Sequence, residues 1–184
     1  MSVLSAPTSV TLGITNKCNL SCKHCLAGDS KDEDDLTQEE MLKLIKELGE
    51  AKVFKIAIFG GEPLMRKDLF LLIEALRCYP IEISMNTNGT LLTKDIAKRL
   101  KIFGLKTLCI SLDGSKAEIA EKMRGKGSFR KNLEGIENAL SEHLEVLIST
   151  TVTKYNFRDL KDITVLGKKL GARQVRFNHV FYGG

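Results

Sequence analysis

An α/β fold in which parallel strands curl into a partial (β/α)6 barrel is predicted by three features of this 184-residue sequence. Runs of β-prone residues recur six times, and helical periodicity lies between successive runs. The intervals are long enough for crossover helices, so neighbouring strands should be parallel. Apolar and polar residues alternate along most of the strands, which gives the sheet one apolar face and one polar face.

The alternation also predicts the shape of the sheet. In the first strand Val10, Leu12 and Ile14 alternate with threonine and glycine. Curling the sheet places helices over its apolar face and a cavity on its polar face, and six strands are fewer than the eight of a complete barrel. A flat, flavodoxin-like sheet with some polar strand positions stays open as an alternative at this point. The predicted strands cover residues 10–15, 54–59, 81–86, 107–113, 147–153 and 174–178.

The helices are predicted from their start and stop signals. Thr37 and Glu40 form a capping box ahead of an apolar stripe with i, i+3, i+4, i+7 spacing, which predicts the first helix. Elsewhere, residues that cap first turns precede apolar stripes, and glycines follow two of them. The other predicted starts are Asp68, Thr93, Ser128 and Asn156, and the predicted stops are Gly104 and Gly171.

Length and composition indicate a single folded domain over residues 1–184. Hydrophobic residues make up 43% of the chain and charged residues 28%, as in globular rather than disordered proteins.

The net charge is +5, but acids and bases are interleaved, which argues against a nucleic-acid partner. No run approaches the roughly 18 apolar residues of a membrane span, and the first residues lack signal-peptide features, so a cytoplasmic protein is predicted. The acidic residues between positions 29 and 35 are expected to form a solvated loop.

Five cysteines and no recognisable secretory signal argue against a disulfide framework. Cys18, Cys22 and Cys25 crowd into eight residues directly after the first strand, where α/β proteins place their active sites. Cys78 and Cys109 stand alone in apolar segments and are predicted to be core residues. The chemistry is therefore expected in the first three.

Three thiolates in one loop can hold a metal centre. A four-iron cluster held by three cysteines leaves one iron without a protein ligand, and that iron can bind a further molecule. A zinc site that adds His24 to the three cysteines is an alternative, although structural zinc usually draws on two separated pairs of ligands. Three cysteines without a shared role are the other alternative.

Further motifs follow the next three predicted strands. They are Gly-Gly-Glu-Pro at 60–63, Asn-Thr-Asn-Gly at 86–89 and Ser-Leu-Asp-Gly at 111–114. With the CxxxCxxC loop, these motifs resemble the radical S-adenosylmethionine (SAM) superfamily over nearly the whole chain. Met-Arg-Gly at 123–125 and Thr-Val-Thr at 151–153 make the chain most similar to the branch with peptide-modifying maturases and the enzymes of molybdopterin and modified-haem biosynthesis.

The resemblance implies a TIM-like partial barrel and a reaction. Cys18, Cys22 and Cys25 would hold a [4Fe-4S] cluster that cleaves SAM reductively, and the 5′-deoxyadenosyl radical would take a hydrogen atom from a substrate. On this interpretation the chain is a radical SAM enzyme or its catalytic core. The alternative is a non-catalytic iron–sulfur or zinc binding module, a truncated remnant of such an enzyme.

The resemblance also implies which residues contact SAM. The segment at 60–63 matches the one whose backbone receives the methionine amino group, and Arg124 matches an arginine that pairs with the SAM carboxylate. His24 stands where the family often has an aromatic residue, and its imidazole can pack against adenine. The full set of cofactor-binding candidates is His24, Gly60, Gly61, Glu62, Pro63, Thr87, Asn88, Ser111, Asp113 and Arg124.

The partners implied by the resemblance are SAM, an electron donor such as flavodoxin or ferredoxin, and a substrate that is a peptide or a tetrapyrrole-like precursor. The chain ends at Gly184, just after the sixth strand. The closing helix and the C-terminal extension that many relatives carry are therefore expected to be absent.

Overall fold

Six parallel strands form one sheet in the order β1-β2-β3-β4-β5-β6 in the computed structural model, which describes residues 6–25 and 35–180. A doubly wound sheet changes direction at a switch point in its strand order, so the sequential order excludes the flavodoxin-like alternative. Apart from Asp35, the predicted acidic loop lies outside the described residues. The strands are β1 (Ser9–Gly13), β2 (Lys55–Phe59), β3 (Glu82–Thr87), β4 (Thr107–Ser111), β5 (Glu145–Val152) and β6 (Gln174–His179).

Helices follow the strands as the sequence predicts, with one addition. The eight-residue helix α4 and the longer α5 both lie between β4 and β5, where only one helix was expected. A short helix carries few periodic positions, so its apolar pattern is a weak signal. The helices are α1 (Gln38–Glu50), α2 (Leu69–Arg77), α3 (Lys94–Ile102), α4 (Ala117–Arg124), α5 (Ser128–Ser141) and α6 (Leu160–Leu170), and a 3₁₀ turn covers Pro63–Met65.

The two faces of the sheet differ as the alternation predicts. Ile58, Met85 and Leu108 belong to the buried core under the helices. On the opposite face, Ser84 and Asn86 line a cavity. The apolar face therefore holds the core, and the polar face forms the concave inside of a partial barrel.

Most of the predicted helix boundaries are confirmed. The Thr37 side chain accepts from the Glu40 backbone N–H, and the Glu40 side chain accepts from the Thr37 backbone N–H. The Thr93 side chain caps α3 with a single bond, accepting from the Ile96 backbone N–H. Gly104 and Gly171 follow α3 and α6 with φ of 82° and 95°, a left-handed conformation that glycine adopts without strain.

Three predicted starts need correction. Asp68 stands at the N-cap position of α2 but makes no capping bond, because its carboxylate is paired with Arg66. Ser128 is the first residue of α5 proper, after Gly127 at the cap. Asn156 precedes α6 by four residues, because its side chain is engaged with the end of β5.

The predicted burial of Cys78 is wrong. Cys78 is exposed at the end of α2, whose buried face carries Leu69, Leu72, Ile73 and Leu76. Two residues after Leu76, the helix has turned by about 200° and presents the opposite side. Cys109 lies on the concave face and is half-buried, so it is not a core residue either.

Candidate functional site

The loop that carries the three cysteines lies at the carboxyl ends of the first four strands. Cys18, Cys22 and Cys25 line a cavity of about 170 Å³ together with the loops after β2 and β3 and the end of β4. Glu62, Pro63 and Asp113 do not line this cavity. The candidates that do line it are Cys18, Cys22, His24, Cys25, Gly60, Gly61, Thr87, Asn88, Ser111 and Arg124.

The cysteine sulfurs are surrounded by hydrogen-bond donors. Cys18 Sγ accepts from the Leu20 backbone N–H at 3.5 Å and from the Asn88 side-chain amide at 3.8 Å. Arg124 Nη1 lies 3.9 Å from Cys22 Sγ. Hydrogen bonds to sulfur are one of the means by which proteins set the potential of iron–sulfur centres. These surroundings suit thiolates.

The chemistry of the three donors fits a thiolate-bound metal centre. All three cysteines are free thiols. Burial raises the pKa of the Cys22 thiol, and the neighbouring thiols and Asp113 raise it further against the opposing effect of Arg124. A cationic centre bound to the thiolates would remove that cost, because metal binding drives deprotonation of its cysteine ligands.

Among residues 6–25 and 35–180, no three His, Cys, Asp or Glu side chains are gathered closely enough to hold one metal ion. A cluster of four irons and four sulfides is wider than one ion, so its ligands stand further apart. The set of three cluster ligands stays a prediction.

The two glycines after β2 are required by a close backbone contact. A Cβ on Gly60 would lie 2.3 Å from the Thr15 carbonyl oxygen, and one on Gly61 would lie 2.3 Å from the Lys17 carbonyl oxygen. The Gly61 N–H donates to the Thr15 carbonyl at 2.7 Å. The glycines thus allow this loop to lie against the start of the cysteine loop and hold it in place.

Glu62 connects the same loop to the end of β3. Its buried carboxylate accepts from the Thr87 hydroxyl at 2.7 Å and the Leu64 N–H at 3.1 Å on one oxygen, and from the Asn88 N–H at 2.8 Å on the other. Burial raises the pKa of this carboxyl, and the three hydrogen bonds oppose the shift. Glu62 therefore braces the wall of the cavity from behind.

Replacing Glu62 by glutamine should destabilise the fold by about 1–3 kcal/mol, the cost of a buried donor without an acceptor. The amide has one oxygen, so its NH₂ group must face an N–H donor that the carboxylate now satisfies. Urea unfolding of the protein without cofactors measures the effect. The matched control is Glu137→Gln on the exposed side of α5, which should change stability little. Equal stability of the two variants would contradict the bracing role.

A buried ion pair lies next to the cysteine loop. Asp113 is fully buried and accepts from Arg124 Nε at 2.6 Å and from the Thr151 N–H at 2.8 Å. His24 Nε2 lies 3.4 Å from the same carboxylate. The pair orients the guanidinium beside Cys22, so Asp113 positions Arg124 and does not itself line the cavity.

His24 has a buried nitrogen free for a ligand. Burial lowers the pKa of its imidazole, although the charge of Asp113 acts in the opposite direction. Its Nδ1 is buried without a hydrogen-bond partner among the described residues. Buried polar atoms are nearly always paired, so a partner supplied by a bound molecule fits here.

Three residues of the site were not predicted from the sequence. Asn19 and Thr90 are hydrogen-bonded to each other at 2.9 Å, and the Asn88 amide donates to Asn19 at 2.9 Å. Asn132 donates to the Asn88 carbonyl at 2.7 Å and to the Ser111 carbonyl at 2.6 Å. An asparagine on the apolar side of α5 was the one available signal for Asn132, because such a residue needs buried partners.

A partial (β/α)6 barrel with a three-cysteine loop at the carboxyl ends of its strands defines a recognisable class of protein. The family model described as the radical SAM superfamily matches residues 12–166, and the chain belongs to this superfamily. Its members use a [4Fe-4S] cluster and SAM.

Two curated relatives and one solved structure show the likeness. The chain is 34% identical over 171 residues to mycofactocin maturase MftC of Mycobacterium ulcerans, covering 92% of this chain and 46% of the maturase. It is 38% identical over 178 residues to Fe-coproporphyrin III synthase of Methanosarcina barkeri, covering 95% of this chain and 44% of the synthase. The fold matches Streptococcus suis SuiB bound to S-adenosylmethionine with a TM-score of 0.86 at 16% identity, over 97% of this chain and 42% of SuiB.

The chain spans about half the length of the curated relatives it matches. Of the helices within residues 6–25 and 35–180, none has the length and apolar character needed to cross a membrane.

Proposed function

We propose that residues 1–184 form the catalytic core domain of a radical SAM enzyme. The observation that carries this proposal is the convergence of three free cysteines, the Gly-Gly loop and Arg124 on one cavity, in a chain of this superfamily. Cys18, Cys22 and Cys25 would hold the cluster. A [4Fe-4S] cluster held by these residues would supply the electron for reductive cleavage of SAM to methionine and a 5′-deoxyadenosyl radical, the species that would take a hydrogen atom from the substrate.

The chain itself binds and orients SAM. Arg124 is held by Asp113 through Nε, which leaves the outer nitrogens of its guanidinium for the SAM carboxylate, a geometry that forked donors suit. Within the segment at 60–63, the backbone of Gly60 and Gly61 lines the cavity and receives the methionine amino group. Ser111, Thr87 and Asn88 complete the wall of the cavity.

His24 completes the adenine side of the site. Its ring packs against the adenine in place of the aromatic residue common in the family. The buried Nδ1, which has no hydrogen-bond partner among the described residues, is available to a polar group of the bound cofactor. These contacts place SAM and exclude water, which is the part of cofactor chemistry that a protein supplies.

The substrate in this proposal is a peptide or a tetrapyrrole-like precursor. The likeness to a mycofactocin maturase and to an Fe-coproporphyrin III synthase supports these two classes. A flavodoxin or ferredoxin supplies the electron, and the enzyme acts in the cytoplasm.

Anaerobic reconstitution with iron and sulfide, then dithionite and SAM, should yield 5′-deoxyadenosine. The control is the variant in which Cys18, Cys22 and Cys25 are all alanine, which should give only background. A full cluster without SAM cleavage would favour the alternative, a non-catalytic iron–sulfur module. Zinc in place of iron would overturn the cluster assignment.

A further inference from the structure

A second cavity lies on the concave face, toward the amino ends of the strands. It has a volume of about 550 Å³, within the range of small-molecule sites, and most of its lining is polar. Asn86 lines both this cavity and the one around the cysteines. The two spaces therefore adjoin, and a molecule in the larger one lies next to the cofactor site.

The charged side chains that line this cavity carry a net positive charge. Its lining includes four cations and two carboxylates. Glu82 accepts from Lys55 at 3.1 Å and from Lys106 at 2.5 Å. The second carboxylate, Glu145, is paired with Arg173. Both carboxylates are thus neutralised within the wall, and an excess of positive charge is left.

Arg176 accounts for part of that excess. It lies on β6 opposite Ser149 and lines the cavity. Within residues 6–25 and 35–180, no carboxylate lies within ion-pair distance of its guanidinium. Cys109 lines the same cavity. Burial raises the pKa of its thiol, and the charge of Arg176 opposes that shift. Arg176 is exposed on the polar face of the sheet, and its forked donors have the geometry that suits an anionic ligand.

We propose that Arg176 binds a carboxylate group of the substrate inside the barrel, next to the cysteine-lined cavity. The planar guanidinium can offer two parallel N–H donors, which match the two oxygens of a carboxylate. Asn86 and Ser84 supply neighbouring polar groups. This inference rests on the proposed function, because it names the substrate class of that enzyme as one that bears a carboxylate.

Alkylation of Cys109 can report anion binding at Arg176, because both residues line the same cavity. Iodoacetate is negatively charged and iodoacetamide is neutral, and both alkylate the same thiolate. The ratio of their alkylation rates therefore does not depend on the intrinsic reactivity of the thiol. Cys78, exposed at the end of α2, gives the reference ratio in the same chain. At Cys109 the iodoacetate-to-iodoacetamide ratio should exceed that at Cys78 by about three- to tenfold, as expected for a nearby positive charge. Peptide mass spectrometry reads both sites.

Arg176→Gln should reduce the ratio at Cys109 toward the Cys78 value, whereas Arg130→Gln, on the exposed side of α5, should leave it unchanged. Succinate should protect Cys109 from iodoacetamide in the wild-type chain but not in Arg176→Gln, and neutral succinamide should not protect. Equal ratios at the two cysteines, no protection by succinate, or stronger protection by inorganic phosphate would each overturn the proposal. The measurement needs no SAM cleavage, so its failure is distinguishable from failure of the proposed function.

Discussion

Cys22→Ala is expected to abolish cluster assembly and to reduce SAM cleavage to background. A cluster held by three cysteines in one loop loses a third of its protein ligands, and an exposed iron then has water as its replacement. Cys22 is also the cysteine that Arg124 contacts, so its loss removes one contact between the cluster loop and the residue proposed to bind the SAM carboxylate. Iron and acid-labile sulfide per chain measure the first effect, and 5′-deoxyadenosine measures the second.

The matched control for this variant is Cys78→Ala. Cys78 is a free thiol on the surface, outside the cysteine cavity, so its removal should leave iron, sulfide and SAM cleavage unchanged. Stoichiometric iron and sulfide retained in Cys22→Ala would contradict the assignment of Cys22 as a cluster ligand.

Asp113→Ala is expected to destabilise the protein without cofactors by about 3–5 kcal/mol. The variant leaves the Arg124 guanidinium, which is only 9% exposed, without its carboxylate. It also leaves the Thr151 N–H without its acceptor. A buried charge that has lost its partner keeps its full desolvation cost, and that cost is the reason for the large effect. Urea unfolding followed by circular dichroism measures it.

A double variant separates the ion pair from the rest of the loss. Asp113→Ala combined with Arg124→Met removes both charges and should be more stable than Asp113→Ala alone. The exposed pair of Arg130 and Glu134 on α5 gives the control, since Glu134→Ala should change stability by about 0–1 kcal/mol. If Asp113→Ala and Glu134→Ala cost the same, the buried pair has no special role in holding the site together.

Much of the architecture was predictable because its signals are local. Strand positions follow from an alternation of period two, and the caps at Thr37 and Thr93 depend on residues within one helical turn. The gathering of the motifs at one edge of the sheet was predictable as well, because carboxyl ends of neighbouring parallel strands meet there. The predicted start of α6 was wrong because Asn156 has a distant partner: its side chain donates to the Asp113 carbonyl, 43 residues away.

The sequence by itself thus determined the order of the six strands and of every helix except α4, the polar and apolar faces of the sheet, and the family. Only the tertiary structure decided which polar groups meet: Glu62 with the end of β3, Asp113 with Arg124, and Arg176 with no carboxylate in the part of the chain described. The physical reason is the range of the interactions along the chain. Propensity and periodicity act over a few residues, whereas the partners of a buried charge are side chains that become neighbours only when the strands pair and the helices pack over them.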